Sequence, residues 1–440
     1  MTDRPEVRFL KICGNSLKLL TGFYENELCR NILPFWLERC EDRENGGYFN
    51  CFTNDGKTLV STDKYTWSEG RFLWIFSKLS QMKRPFSASE RAEFLRLAKS
   101  GRDFLMKHVF MDGDPLKCYF LLEADGTPKL VDGFSDYDMS IYADGFVLDG
   151  LSQYSIAAGD AEAYRTAKKL FASVIGRFER YEYKTLPYPI SPEYVMHGFF
   201  MVRIHYCYNL LLASRIFDPG YTGFLREKLR ESVDNVLRMF ADENGVMREV
   251  IRKDGSRAEG IFGNHSNPGH ICEEMWFVLH AADLLGDGSY TDRASAILKK
   301  ALETGWDKVY GGLYHFIGSD GSEPVPAPED PGDEPVYRQL MTGWSDKLWW
   351  VHSEALYSAL LFSVRTSDSE LESWYDRIFG YTFSVFPNPD RDTREWIQIR
   401  ERDGSPVGKV TSLPVKDPFH ITRNLMYILN LLYSLENVRD

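Results

Sequence analysis

Basic tracts, long apolar runs and paired cysteines are all missing from this 440-residue chain. Lys plus Arg total 52 against 64 Asp plus Glu, a formal charge of -12. No cluster of cations is placed to neutralise phosphates, which argues against a nucleic-acid partner. No apolar run approaches the ~18 residues of a membrane span. The N-terminal MTDRPEVRFLKICGNS carries Asp3 and Glu6 where a secretory signal would be basic and then apolar. The expectation is a soluble, cytoplasmic protein with no membrane partner. The seven cysteines are odd in number and include no CxxC pair, so neither a disulfide framework nor a cysteine zinc site is favoured, and reduced, packed thiols are expected. There is no HExxH, no EF-hand loop and no Gly-rich phosphate loop, so neither a metal nor a nucleotide cofactor is expected.

What is present is amphipathic helix. SLKLLTGFYENELCRNILPFWLERC, RAEFLRLAKSGRDFLMKHVF and RIHYCYNLLLASRIF all place apolar residues at three- and four-residue intervals. Twelve such segments begin near residues 16, 65, 88, 139, 161, 196, 222, 268, 290, 344, 368 and 418, which suggests six pairs. A second pattern supports six units. Short β-prone runs broken by an Asp-Gly turn recur at Asp55, Asp125, Asp254, Asp320 and Asp403, spaced 70, 129, 66 and 83 residues, and each reads as a β-hairpin. The double-length interval leaves one hairpin missing near KTLPYPISPEY. A repeat of helix pair plus hairpin favours an all-α fold: six helical hairpins closed into an (α/α)6 barrel, with short β-hairpin loops on one side. An open solenoid is the alternative. SEPVPAPEDPGDEP, residues 322–335, has five prolines and five acids, yet the repeat continues past it. It reads as a stiff exposed loop bordering a cleft, and residues 1–440 as a single domain.

Two histidines sit in matching contexts. Asn267-Pro268-Gly269-His270 and Asp417-Pro418-Phe419-His420 each give a capping side chain, Pro at the first helical position and His at the third. A first-turn imidazole lies at the positive end of the helix dipole, which favours the neutral ring and so a usable proton acceptor. Glu273 and Arg423, each three residues on, should share a face with their histidine. Lys64, Trp67 and Arg71, spaced i, i+3, i+7, form one stripe of cations flanking an indole. Such a stripe suits a wet cavity holding a sugar: an aromatic face for ring C–H groups and a guanidinium fork for hydroxyls or a developing enediolate. Each feature also has a plainer reading, as a capping histidine or a snorkelling cation.

Together these stretches resemble the N-acylglucosamine 2-epimerase family. DRENGGYFNCFTNDG with KYTWSEGRFLWIFSKL, then NPGHICEEMWFVL, DKLWWVHSEAL and KDPFHITR, are similar to its motifs, in order, over residues 42–423, and SIYADGF is a weaker fifth match. The resemblance implies an (α/α)6 barrel and metal-independent epimerisation of an unphosphorylated sugar at C2. It implies His270 and His420 as the acid/base pair, Arg71 as a substrate-binding arginine and Glu273 as the carboxylate after the central histidine. Lys64, Trp67, Trp349, His352, Glu354, Lys416 and Arg423 fall on motif positions and are carried as substrate-binding candidates. His205 is preferred to His197 for a further histidine position. Glu69 stands where relatives often carry Gln, which bears on recognition at the reducing end. N-acetylglucosamine/N-acetylmannosamine interconversion ranks first, and epimerisation or isomerisation of mannose, glucose or cellobiose-type sugars second. A glycoside hydrolase on the same barrel and a non-catalytic sugar-binding protein are the rivals of other classes, and a homodimer is left open.

Overall fold

The computed structural model describes residues 17–410 and 413–437. Six helix pairs follow one another. α1 (Leu17–Asn26) runs through a π-helical stretch, Glu27–Ile32, into α2 (Leu33–Arg39), and is followed in the chain by α3 (Thr66–Gln81). Then come α4 (Ala88–His108) with α5 (Ile141–Ala158), and α6 (Ala161–Arg180) with α7 (His197–Phe217). α8 (Thr222–Met239) pairs with α10 (Pro268–Leu285), the single turn α9 (Gly260–Gly263) lying between them. α11 (Thr291–Gly305) is followed by α13 (Trp349–Thr366), with α12 (Pro335–Gly343) inserted, and α14 (Ser369–Val385) by α15 (Phe419–Asn437). The twelve expected starts are each met within about five residues.

The second helix of each pair faces inward. α3 packs on α5, α5 on α7, α7 on α10, α10 on α13, α13 on α15, and α15 returns to α3. The ring is therefore closed, the fold is an (α/α)6 barrel, and the open solenoid is set aside. Inner and outer helices differ as their positions require. α5 buries every residue from Ile141 to Ser155, whereas outer α4 buries a stripe at Phe94, Leu97, Ala98, Gly101, Phe104 and Leu105. Close contact within the inner ring depends on Gly70, where a Cβ would come within 2.4 Å of the Phe146 backbone.

The hairpins form one layer and stitch neighbouring units together. β1 (Lys64–Tyr65) pairs with β2 (Leu121–Leu122), which pairs with β3 (Pro128–Lys129); β4 (Tyr194–Met196) pairs with β5 (Val250–Arg252). β6 (His265–Ser266) pairs with β7 (Ile317–Gly318), and β8 (Lys347–Leu348) with β9 (Ile399–Arg400). In each two-strand pairing, the strand leading into an inner helix is bound to the hairpin of the next unit. That hairpin also satisfies the first helical N–H: Thr66 N donates to Phe120 O, His197 N to Glu249 O and Trp349 N to Gln398 O, at 2.8–3.1 Å. The sixth unit reaches back to the first, Lys416 N donating to Asn50 O at 2.8 Å. All inner helices thus begin in the hairpin layer and direct their positive dipole ends at one mouth. The glycines of the five Asp-Gly turns (Gly56, Gly126, Gly255, Gly321, Gly404) have φ between 75° and 89°, the left-handed region that Gly enters without strain.

Residues 322–334 form a loop, and Pro335 opens α12. Asp330 accepts hydrogen bonds from Phe262 N and Ala327 N, Glu334 accepts one from Ser191 N, and α12 then rests on a second small core with Tyr194, Met196, Val250, Phe262 and Phe316. Among the described residues no helix is long and apolar enough to cross a membrane, and six cysteines are free thiols. Cys13 lies outside the described residues.

Candidate active site

The inner-helix N-termini and the loop layer enclose a cavity of about 1280 Å³, its open mouth included. Trp67, Arg71, His205, His270, Glu273, Trp349, His420 and Arg423 all line it, so eight of the twelve residues singled out in the sequence converge from five inner helices.

His270 stands in the first turn of α10, where Asn267 caps the helix by accepting from His270 N at 3.1 Å. Its Nδ1 lies 2.9 Å from Glu249 Oε1. His420 is the second residue of α15, one place nearer the helix start than its Pro-initiated context suggests; Asp417 caps the turn by accepting from Phe419 N at 2.7 Å. Its Nδ1 lies 2.7 Å from Glu354 Oε1. A carboxylate oxygen accepts, so in the neutral form of each ring Nδ1 carries the hydrogen and Nε2 keeps its lone pair. The two rings flank Trp350, with centroids 5.3 Å and 5.5 Å from its indole. Gly269 leaves room for that indole, since a Cβ there would meet it at 2.5 Å.

The two histidines differ in their surroundings. Burial pushes His420 down to about 3, with Arg71 and Arg423 adding to the shift and Glu273 opposing it. Burial works to raise Glu249, but His270 and His197 overcome it and hold this carboxyl well below the usual range. Arg71 forms an ion pair with Asp417, lies 3.4 Å from His420 Nε2, and stacks over Phe146 and Trp67 at 4.1 and 4.9 Å. Arg423 bonds Glu273 and, at 2.6 Å, Glu354.

Several expectations need correction. Glu273 is not the partner of His270: its carboxylate is bonded to Arg423 on α15 and lies 3.8 Å from His420 Nδ1, because one helical turn rotates it around the barrel wall. Lys64 does not continue the Trp67–Arg71 stripe. It precedes the helix, in β1, and its fully buried ammonium is held by Asp42, Gly46 O and Ala124 O at 2.6–2.7 Å. Lys416 does the same before α15, paired with Glu395 and Asn54 O. Lys347 does so before α13, paired with Asp307 at 3.1 Å. These lysines tie inner-helix entries to the outer ring. His352 is fully buried, Nδ1 bonded to Leu348 O and Nε2 accepting from Leu313 N, leaving no atom for a ligand. Glu354 lies behind His420 and does not line the cavity. His205 reaches the cavity, with Nδ1 2.7 Å from Asp149, and His197 does not.

Glu69 also lies away from the cavity, accepting from Tyr48 N at 3.1–3.2 Å. Burial pushes it from 4.5 up to about 8. The native side chain therefore keeps a proton that the unfolded one loses above 4.5, and this contribution to stability, full below 4.5, fades as pH rises through 8. Glu69→Gln stays neutral throughout. It is expected to be more stable than wild type by ~1–3 kcal/mol near pH 9, with no difference at pH 4, measured by urea unfolding, and to leave substrate preference unchanged.

Sequence reasoning passed over Glu249, Asp417 as a partner of Arg71, and Trp350. A signal for the first was available. Glu249 stands five residues before the Asp of its Asp-Gly turn, as do Asn50, Phe120, His315 and Gln398 in other units. Both Glu249 and His315 line the cavity from that register. Among the described residues two clusters have metal-ligand chemistry, His197 with Glu249 and His270, and Glu273 with Glu354 and His420. In each, the imidazoles already lie against carboxylates, and Arg423 neutralises the second.

Two first-turn histidines, each with Nδ1 held by a carboxylate, face one aromatic cavity beside an arginine at the mouth of an (α/α)6 barrel, an arrangement able to carry proton chemistry on a small polar molecule. Residues 47–423 match the family described as N-acylglucosamine 2-epimerase (GlcNAc 2-epimerase). The chain is 29% identical over 407 residues to the N-acylglucosamine 2-epimerase of Bos taurus, covering 92% of this chain and 89% of that one. Its fold is similar to the cellobiose 2-epimerase of Spirochaeta thermophila, at 18% identity and TM-score 0.75 over 98% of this chain and all of the other. It is similar also to a D-mannose isomerase, at 17% identity and TM-score 0.72 over 94% of this chain and 98% of the other. The chain belongs to the N-acylglucosamine 2-epimerase family and is a sugar 2-epimerase, an isomerase.

Proposed function

We propose that the protein interconverts N-acetylglucosamine and N-acetylmannosamine, with His270 and His420 exchanging the C2 proton on opposite faces of the open-chain sugar. The observation that carries this reading is the pair of imidazoles, each with Nδ1 fixed by a buried carboxylate, on either side of Trp350. The C2–H bond is acidic only beside a free carbonyl. One neutral imidazole takes that proton at Nε2, its electron pair passes into an enolate across C1 and C2, and the other, entering the step as an imidazolium with a solvent-derived proton on Nε2, delivers that proton from the opposite face and is left neutral. Arg71 neutralises charge on O1, and the converging helix dipoles act in the same sense. Burial makes His420 a weak base, and the two guanidinium groups that face it add to the effect. As the enolate forms, Arg71's charge is taken up by the new oxyanion and the imidazole gains basicity in step with proton transfer.

The N-acetyl substrate is favoured by the match to the bovine enzyme and by an apolar wall of Met196, Phe316, Val336, Leu413 and Val415, where an acetyl methyl can be buried. With a 2-acylamino group there is no C2 hydroxyl, so the enolate cannot collapse to a ketose. Hydrolysis would call for a protonated carboxylic acid in the cavity. Glu249, Glu273 and Asp417 are instead each paired with imidazole or guanidinium. The acidic composition and free thiols suit work in the cytoplasm. The test is a panel of reducing sugars followed by chromatography, with and without EDTA. N-acetylmannosamine should appear from N-acetylglucosamine at an undiminished rate in chelator. Turnover of mannose or cellobiose alone would overturn the substrate, and loss of activity in EDTA restored by zinc would overturn the two-histidine mechanism.

A further inference from the structure

His270 and His420 are anchored by separate sets of buried groups. Behind His420, the Glu354 carboxylate is held by Trp276 Nε1 at 2.8 Å and Arg423 at 2.6 Å. Among the described residues no arginine is bonded to the carboxylate behind His270. Glu249 Oε1 takes His270 Nδ1 at 2.9 Å, and its other oxygen lies 3.4 Å from Nδ1 of His197. The far side of that imidazole, Nε2, is 2.7 Å from Glu274 Oε2. His197 and Glu274 are fully buried and Glu249 nearly so. A chain of four titratable side chains, Glu274–His197–Glu249–His270, therefore runs from the barrel wall to the cavity.

His197 is the first residue of α7, and its backbone N–H donates to Glu249 O at 2.8 Å, so backbone and side chain both act on the same glutamate. The next residue, Gly198, lets the helix come close: a Cβ there would lie 3.0 Å from His270 Cε1 and 3.6 Å from Glu249 Oε1. The two carboxylates raise His197 to about 10 in spite of its burial, so it is a cation at neutral pH and occupies the place that Arg423 fills on the other side.

We propose that His197 is a positioning residue for the epimerase reaction: held by Glu274, it fixes Glu249 in the orientation that presents Oε1 to His270, and so supports proton transfer on the face served by His270 and not on the face served by His420. This rests on the two-histidine reading. A part of the barrel wall with a merely structural role would affect both faces together, since both open on one cavity.

The test uses two substitutions that divide the imidazole's contacts. His197→Asn keeps an amide donor near Nδ1, toward Glu249, and gives up Glu274. His197→Gln places its donor near Nε2, toward Glu274, and gives up Glu249. The full-length enzyme is incubated in heavy water with each epimer separately, and the initial rate of C2-proton loss is followed by NMR. Thermal unfolding confirms that both variants are folded. His270→Ala identifies the epimer that depends on His270. For that epimer His197→Gln should lose about 10–100-fold in exchange rate, the scale carried by partners that orient a working imidazole, while His197→Asn stays within a few-fold of wild type. Exchange from the other epimer should stay within about twofold in both. Equal losses from both epimers, equal behaviour of Asn and Gln, or no loss in either overturns the proposal. Wild-type enzyme that exchanges neither epimer overturns the two-histidine reading and the proposal with it.

Discussion

His270→Ala and His420→Ala are each expected to lose net epimerisation by at least 10²–10⁴-fold, the range for removal of a positioned general acid or base. Each should nevertheless keep C2-proton exchange from one epimer, and the two variants should keep opposite epimers. The surviving imidazole still has its Nδ1 fixed, by Glu354 in one case and Glu249 in the other, so it can abstract a proton and return a solvent deuteron on its own face. The measurement is loss of the C2 proton signal in heavy water from each epimer in turn. Exchange through His420 alone carries a pH signature. Its neutral form is the active base, and burial beside Arg71 and Arg423 puts its loss near 3. Protonation should therefore not slow it between pH 8 and about pH 5. If both variants keep near wild-type activity, the imidazoles are caps of α10 and α15 and the acid/base assignment falls.

Arg71 should behave differently from either histidine. Arg71→Lys is expected to slow exchange from both epimers alike, by about 10²–10³-fold, because stabilisation of the enolate oxygen is common to both directions. Lysine keeps the charge that balances Asp417 but loses the planar fork that lies over Phe146 and reaches toward His420. Arg71→Ala tests a second consequence. It leaves the largely buried Asp417 carboxylate without its cation, and a stability loss of about 3–5 kcal/mol is expected, measured by denaturant unfolding. Arg71→Lys that exchanges one epimer at the wild-type rate would assign the guanidinium to one face, and its role as a shared oxyanion partner would be wrong.

The sequence by itself determined the repeat. Helix period 3.6, five Asp-Gly turns at near-constant spacing and twelve amphipathic starts are local properties of the chain, and they specify six helix pairs with hairpins on one side. It also picked out His270 and His420, because a cap followed by Pro and then His is written in consecutive residues. What those histidines lean on was decided by tertiary structure. Glu273 lies on the same helix as His270 but serves Arg423, whereas Glu249, 21 residues away, orients the ring from the hairpin that stitches one unit to the next. Lys64, Lys347 and Lys416 have the charge of ligand-binding residues in sequence, and only the ring shows each turned outward to a buried acid. Closure was equally invisible, since the contacts of α15 with α3 and of Lys416 with Asn50 join residues more than 300 positions apart. The physical reason is one of range. Periodicity and capping depend on neighbours within a turn or two. The partner of a buried charge is whichever group the closed ring brings within about 3 Å, because leaving that charge unpaired would cost several kcal/mol.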